Sequence, residues 1–242
     1  MYPKIYFDLF RQSDLTNEVF VAMSFHPSQD AIWKEIFCPA IESLYMQPYR
    51  VDQRRISDSI LTDILEGIRR ACLILCDISK VDGTRNGNVM YELGLAHSLR
   101  LPEEVIIVKN DDDKSLFDIE QTRTHQYYQN DINGSISVIS NLLNEAQNSI
   151  ERKKAIVVRQ TSEELDDDCL RIINEFKDSE FWYIPTDRTM GNVLANINRR
   201  SAVRRLLELG IIRCDYSSGR QQHAYHWTEF GQALIQYTRT ST

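Results

Sequence analysis

Four consecutive apolar residues, Leu73-Ile74-Leu75-Cys76, lead into Asp77, a polar stretch and then a segment of helical period, and this succession constrains the chain more than anything else in it. A run that short and branched reads as a strand buried on both faces, the kind found in parallel sheets covered by helices on either side. The polar stretch Ser79 to Gly87 reads as a flexible loop. Beyond it Val89, Leu93, Ala96 and Leu99 recur at helical spacing. Ligands of open α/β sheets bind outside the carboxyl ends of the strands. Asp77, the loop and the first turns of the new helix, which carry Glu92, are therefore expected to form one wall of a site.

The rest of the first half repeats this alternation. Glu18–Phe25 reads as a central strand, and Ile32, Trp33, Ile36, Phe37, Ala40, Ile41 and Leu44 give the following helix one apolar face. Tyr49–Asp52 is a strand end that puts Arg50 and Asp52 at the rim of the same crevice. A helix capped by Ser57 or Asp58 follows, with Ile60, Ile64, Leu65 and Ile68 on one side. Val105–Val108 is a further buried strand. Leu116–Ile119 and His125–Tyr128 bracket an edge strand, and Ile136–Ile150 supplies a closing amphipathic helix before the charged Glu151–Lys154. Short strands separated by helices of this length call for a doubly wound, mostly parallel flavodoxin-like α/β sheet, placed here in residues 1–155.

A second unit is expected after a connecting helix at 156–180. In residues 181–242, Ser201–Leu209 forms a helix ended by Gly210, Ile211–Tyr216 and His223–Trp227 form a hairpin, and Thr228 caps a last helix. The connecting helix, a helix with paired arginines, a hairpin and a last helix, in this order, suggest a small winged helix-turn-helix domain. From Phe181 onward eight arginines, with no lysine, face four acids, a balance of +4; since the whole chain carries −7, the first 180 residues carry −11. An arginine-rich end suits phosphate contacts. Arg199, Arg200, Arg204, Arg205 and, at the hairpin tip, Arg220 are the candidate nucleic-acid-binding residues. The alternative is a solvated face that pairs with the acidic front domain or with Glu163–Asp168.

Composition excludes several classes. No apolar run approaches the ~18–20 residues of a membrane helix, and MYPKIYFDLF lacks a secretory cleavage signature, so a cytoplasmic protein without membrane contact is expected. The five cysteines are scattered, read as reduced core residues, and form no Cys/His cluster of zinc spacing. Asp111-Asp112-Asp113 is a solvated loop or, alternatively, a magnesium site. There is no phosphate-cradling GxxxxGK[ST] loop.

The blocks FVAMSF, YRVD, LILCDIS, NGNVMYELGLAHSL and SLFDIEQTRTHQYY follow one another across residues 18–130. They resemble the nucleoside 2-deoxyribosyltransferase-like and TIR-like domains of bacterial defence effectors, most specifically in NxxYELGxAH. Joined to the winged helix, the pattern is similar to retron effector toxins. The resemblance implies cleavage of the bond between a base and C1′ of a ribose or deoxyribose. Glu92 would be the nucleophile or electrostatic stabiliser, and Asp77 the sugar-orienting or acid/base partner. A carboxylate suits this chemistry because oxocarbenium character develops at C1′. Met23, Ser24, Phe25, Arg50, Asp52, Asn88, Tyr91, Phe117 and Asp118 are the expected substrate-binding residues, and His97 a packing residue.

The expected function is hydrolysis of NAD or a (deoxy)nucleotide by an N-glycosidase without cofactor or metal. The enzyme would be a toxin under the control of nucleic acid or a defence-system partner protein, working as a homo-oligomer. A regulator that binds a nucleotide and DNA without catalysis is the alternative.

Overall fold

The computed structural model describes residues 15–51, 60–113, 123–183, 193–217 and 222–240. Five strands, β1 (Glu18–Ala22), β2 (Gln47–Tyr49), β3 (Leu73–Asp77), β6 (Val105–Lys109) and β7 (Thr124–Gln126), form one sheet in the order β2-β1-β3-β6-β7, with every neighbouring pair parallel. All five residues of β1 and of β3 are buried, so apolar side chains are needed on both faces. Alternate residues serve opposite faces. Val19, Val21, Leu73 and Leu75 pack with helix α1 (residues 30–42) and with α4 (Ile132–Glu164). Phe20, Ala22, Ile74 and Cys76 pack with α2 (Ile60–Arg70) and α3 (Gly87–Leu99). The chain is thus an α/β protein with a flavodoxin-like strand order, wound in opposite directions from the β1/β3 boundary.

Helix α1 runs as Asp30–Ile32, a π turn at Trp33–Phe37, and Cys38–Glu42. Pro39 has no N–H to donate into an α-helical ladder, and the Cys38 N–H instead reaches back to the Trp33 carbonyl. On α2, Gly67 allows close approach to the sheet: a Cβ there would lie 2.7 Å from the Phe20 ring and 2.8 Å from Tyr49. The buried Arg100 guanidinium closes the far end of α2 by donating to the carbonyls of Ile68 (2.8 Å), Ala71 (2.6 Å) and Cys72 (3.3 Å), while Glu104 accepts from its Nε at 2.8 Å.

The expected flexible loop at 79–87 is instead a tight hairpin, β4 (Lys80–Val81) and β5 (Thr84–Arg85). Asp82 and Gly83 have φ of 51° and 80°, the positive values that a two-residue primed turn requires. Arg85, almost fully buried, clamps the hairpin to the end of β6 through both oxygens of Asp111 (3.3 and 3.1 Å) and through the Ile78 carbonyl.

The chain divides into two units between Glu151 and Arg152, and α4 runs unbroken through that point. That point lies within Glu151–Lys154, the segment read from sequence as the domain's end, which consists of good helix formers without Gly or Pro, so the helix continues through it. The break falls at Asp166, whose side chain accepts the Cys169 N–H at 2.8 Å and starts α5 (Asp167–Phe176). The second unit continues with β8 (Phe181–Tyr183), α6 (Val193–Glu208), β9 (Ile212–Ser217), β10 (Gln222–Trp227) and α7 (Glu229–Thr240). Its antiparallel sheet has the order β8-β10-β9. Trp182 stacks between Phe176 (4.5 Å) and Tyr225 (4.8 Å) at the centre of this core. Gly210 takes the left-handed φ of 70° at the helix stop, and Thr228 caps α7 by accepting the Gly231 N–H at 3.1 Å. The cysteines are all free, but Cys214 is exposed on β9 rather than in the core. Among the described residues no helix is long and apolar enough to cross a membrane.

Candidate functional site

The winding reversal leaves a crevice outside the carboxyl ends of β1 and β3, the place where open α/β sheets receive ligands. A cavity of about 460 Å³ lies between the exit of β1 and the helices α2 and α3. Met23, Phe25, Val51, Ile60, Leu61, Ile64, Asn86, Asn88, Val89, Tyr91 and Glu92 line it. Its size is that of small-molecule pockets. The wall is mostly apolar, with three polar side chains converging from one end of α3.

Glu92 is the chemically conspicuous one. Asn86 caps α3 by accepting the Asn88 N–H at 2.9 Å, and Glu92 follows Asn88 by four residues, which puts the two on one helix face. Only 7% of Glu92 is exposed, yet none of the described residues provides its carboxylate with a hydrogen bond or a counter-charge. Burial alone pushes its pKa up to about 7. Near neutral pH it is therefore divided between the acid and the carboxylate. Phe25 and Tyr91 are half exposed on the cavity wall and offer aromatic faces to a planar ligand. Ile60 and Leu61, which would be anomalous as surface residues, are the apolar edge of the same hollow.

Of the residues expected from sequence, Met23, Phe25, Asn88, Tyr91 and Glu92 share this cavity. Ser24 is buried beside it, accepting from the Asn86 Nδ2 at 3.2 Å. Arg50 is buried too; its guanidinium lies over the rings of Phe25 (5.5 Å) and Trp33 (5.0 Å) and pairs with Asp30 at 3.5 Å. It backs the wall and is not itself part of the lining.

Asp77 does not join Glu92 on the lining. One of its carboxyl oxygens accepts from the Ser79 N–H (3.0 Å) and hydroxyl, the other from the Tyr127 hydroxyl at 2.8 Å. Asn110 extends this network, its N–H donating to the Ser79 oxygen at 2.9 Å. Burial raises the Asp77 and Tyr127 pKa values, but the hydrogen bonds occupy the carboxylate from both sides. His97, expected to pack, is exposed on α3.

Asp52, Phe117, Asp118 and Arg220 lie outside the described residues. Sequence reasoning passed over Asn86, Val51, Ile60, Leu61, Ile64 and Val89 as lining. Asn86 carried a readable signal, an Asn just before a helical period, which is the usual sign of a cap.

The triple aspartate is taken up by the protein. Asp111 holds Arg85 and the Lys80 N–H, Asp112 accepts from Gln126 at 2.6 Å, and Asp113 pairs with the Lys80 ammonium. No metal-binding cluster of His, Cys, Asp or Glu occurs among the described residues. In the second unit Arg199 pairs with Glu175 and covers the Phe176 ring at 5.4 Å, Arg204 pairs with Glu208 at 2.9 Å, and Arg205 with Asp166 at 2.8 Å. Arg200 is exposed.

Fold and site together define an α/β protein with a flavodoxin-like sheet order and a buried carboxylate in a switch-point cavity. No protein-family profile and no curated protein matches the sequence. Among solved structures, the metal-soaked Flv1 flavodiiron core from Synechocystis sp. PCC6803 is similar at a TM-score of 0.39 and 8% identity over 58% of this chain, which spans 38% of that one. At that level of likeness nothing carries over to this protein.

Proposed function

We propose that the first unit is an N-glycosidase that hydrolyses the base–ribose bond of NAD or a (deoxy)nucleotide, with Glu92 as the reacting carboxylate. Glu92 carries this reading: a carboxylate buried in an apolar cavity, with no partner among the described residues, is costly to keep, and it is placed where a ligand would meet it. As the base departs with the bonding electrons, positive charge develops at C1′ and the ring oxygen. Ionised Glu92 stabilises that charge or captures C1′ as a glycosyl ester; water then attacks C1′, displacing the carboxylate where an ester formed, and gives the free sugar hydroxyl as its proton passes to the departed base or, when nicotinamide leaves neutral, to solvent. The low-dielectric wall strengthens this attraction. Phe25 and Tyr91 suit the flat base. Asp77 acts in this reading as a brace of the strand ends through Ser79 and Tyr127.

For the second unit we propose a winged-helix module that holds nucleic acid and governs when the enzyme, acting as a cytoplasmic effector that depletes a nucleotide pool, is active. The succession α5, β8, α6, β9, β10, α7 and the sheet order β8-β10-β9 support this module. With three of the α6 arginines engaged by acids, Arg200 is the helix residue best placed to meet a phosphate.

Incubation of the whole chain with NAD and a panel of nucleotides, with and without nucleic acid, tests the proposal. Free base should accumulate with wild type and not with Glu92→Gln. Binding of nucleotide without release of base in any of these conditions would favour the regulator.

A further inference from the structure

We infer that the side-chain bridge between Ser24 and Asn86 positions Glu92 across the crevice, making Asn86 a positioning residue for the reaction. This rests on the reading of Glu92 as the reacting group. The crevice has two sides, the exit of β1 that carries Phe25 and the start of α3 that carries Glu92, and one amide joins them. Asn86 Oδ1 accepts the Asn88 N–H at 2.9 Å and fixes the first turn of α3, while Nδ2 donates to Ser24 Oγ at 3.2 Å.

Ser24 Oγ in turn accepts the His26 N–H at 3.3 Å, so the backbone on both sides of Phe25 is drawn into the same bridge. Ser24 is 8% exposed, and Asn86 borders the cavity itself. The residue before Asn86 cannot yield, because Arg85 is clamped to Asp111 and to the Ile78 carbonyl. A ligand between Phe25 and Glu92 therefore meets two walls held at a fixed separation by this bridge.

The helix cap and the bridge can be separated. Serine caps a helix about as well as asparagine but is too short to reach Ser24. Asn86→Ser thus removes the bridge and keeps the cap, and Ser24→Ala removes it from the other end. Base release, denaturation midpoint, and the titration of the Glu92 carboxyl by ¹³C NMR, with Glu92→Gln for assignment, are measured on the whole chain. Both variants should lower kcat by about tenfold to a hundredfold with KM little changed. The Ser24→Ala/Asn86→Ser double variant should be no slower than Ser24→Ala, which already removes the bridge together with the His26 N–H contact.

The Glu92 titration should move down in both variants as water enters the loosened crevice, with the denaturation midpoint kept in Asn86→Ser, whose helix cap remains. Additive losses, or a Glu92 titration and kcat unchanged in Ser24→Ala, would overturn the bridge. If wild type releases no base, the enzymatic reading fails, and the titration alone still decides the bridge.

Discussion

Replacing Glu92 by glutamine should stabilise the protein at alkaline pH and do much less at acidic pH. Burial raises the carboxyl from 4.5 to about 7, so the folded state binds this proton more tightly than the unfolded chain. Its contribution to stability is complete below pH 4.5, falls as pH rises toward 7, and levels off above. Linkage gives a loss of about 1 kcal/mol at pH 5, about 2 at pH 6 and about 3 at pH 8, as order-of-magnitude figures. Glutamine keeps the shape and does not titrate. The variant should therefore gain about 2 kcal/mol on wild type between pH 5 and pH 8. Of the three tryptophans only Trp33, which is buried, belongs to the first unit, so urea unfolding can be followed by its fluorescence in a Trp182→Phe/Trp227→Phe background. A difference between Glu92→Gln and wild type that stays constant from pH 5 to pH 8 would refute the claim that burial holds this carboxyl up.

Three further outcomes follow from the packing. Gly67→Ala should destabilise the first unit by about 1–3 kcal/mol in urea unfolding, despite alanine's better helix propensity, because the new methyl meets the Phe20 and Tyr49 rings under 3 Å. Arg100→Met should cost about 3–5 kcal/mol by the same measurement, since Glu104 is left buried without its partner. Tyr127→Phe should cost about 1–3 kcal/mol by removing a donor to buried Asp77, while base release per folded molecule stays within a few-fold of wild type if Asp77 is a brace.

The parallel sheet was legible in the sequence because its strands are buried on both faces and announce themselves as branched apolar runs, as at Leu73–Cys76. Glu92 and its helix were legible through a period and a motif. Less of the second unit could be read. Phe181–Tyr183 is too short to show an alternation, yet it pairs with β10 through Trp182 and Tyr225. The hairpin at 80–85 hid in a polar stretch because its order comes from two positive φ values and from an arginine clamp to Asp111, a residue distant in sequence. Asp77 shows the limit of motif reasoning: a carboxylate at a strand end is conspicuous in sequence, but which groups occupy its oxygens depends on Ser79 and Tyr127 folding around it. The charged Glu151–Lys154 was legible as the end of the first domain, and the units divide at 151/152, but charge without Gly or Pro lets the helix itself run on.

The rate of base release against pH, measured for wild type and Glu92→Gln on whichever nucleotide is turned over, tests the central claim most directly. A carboxylate that must be ionised to stabilise C1′ predicts a rate rising through about pH 7 to a plateau, and a fall of about a thousandfold or more in the variant. A variant as fast as wild type, or a wild-type rate that is flat across this range, would contradict it.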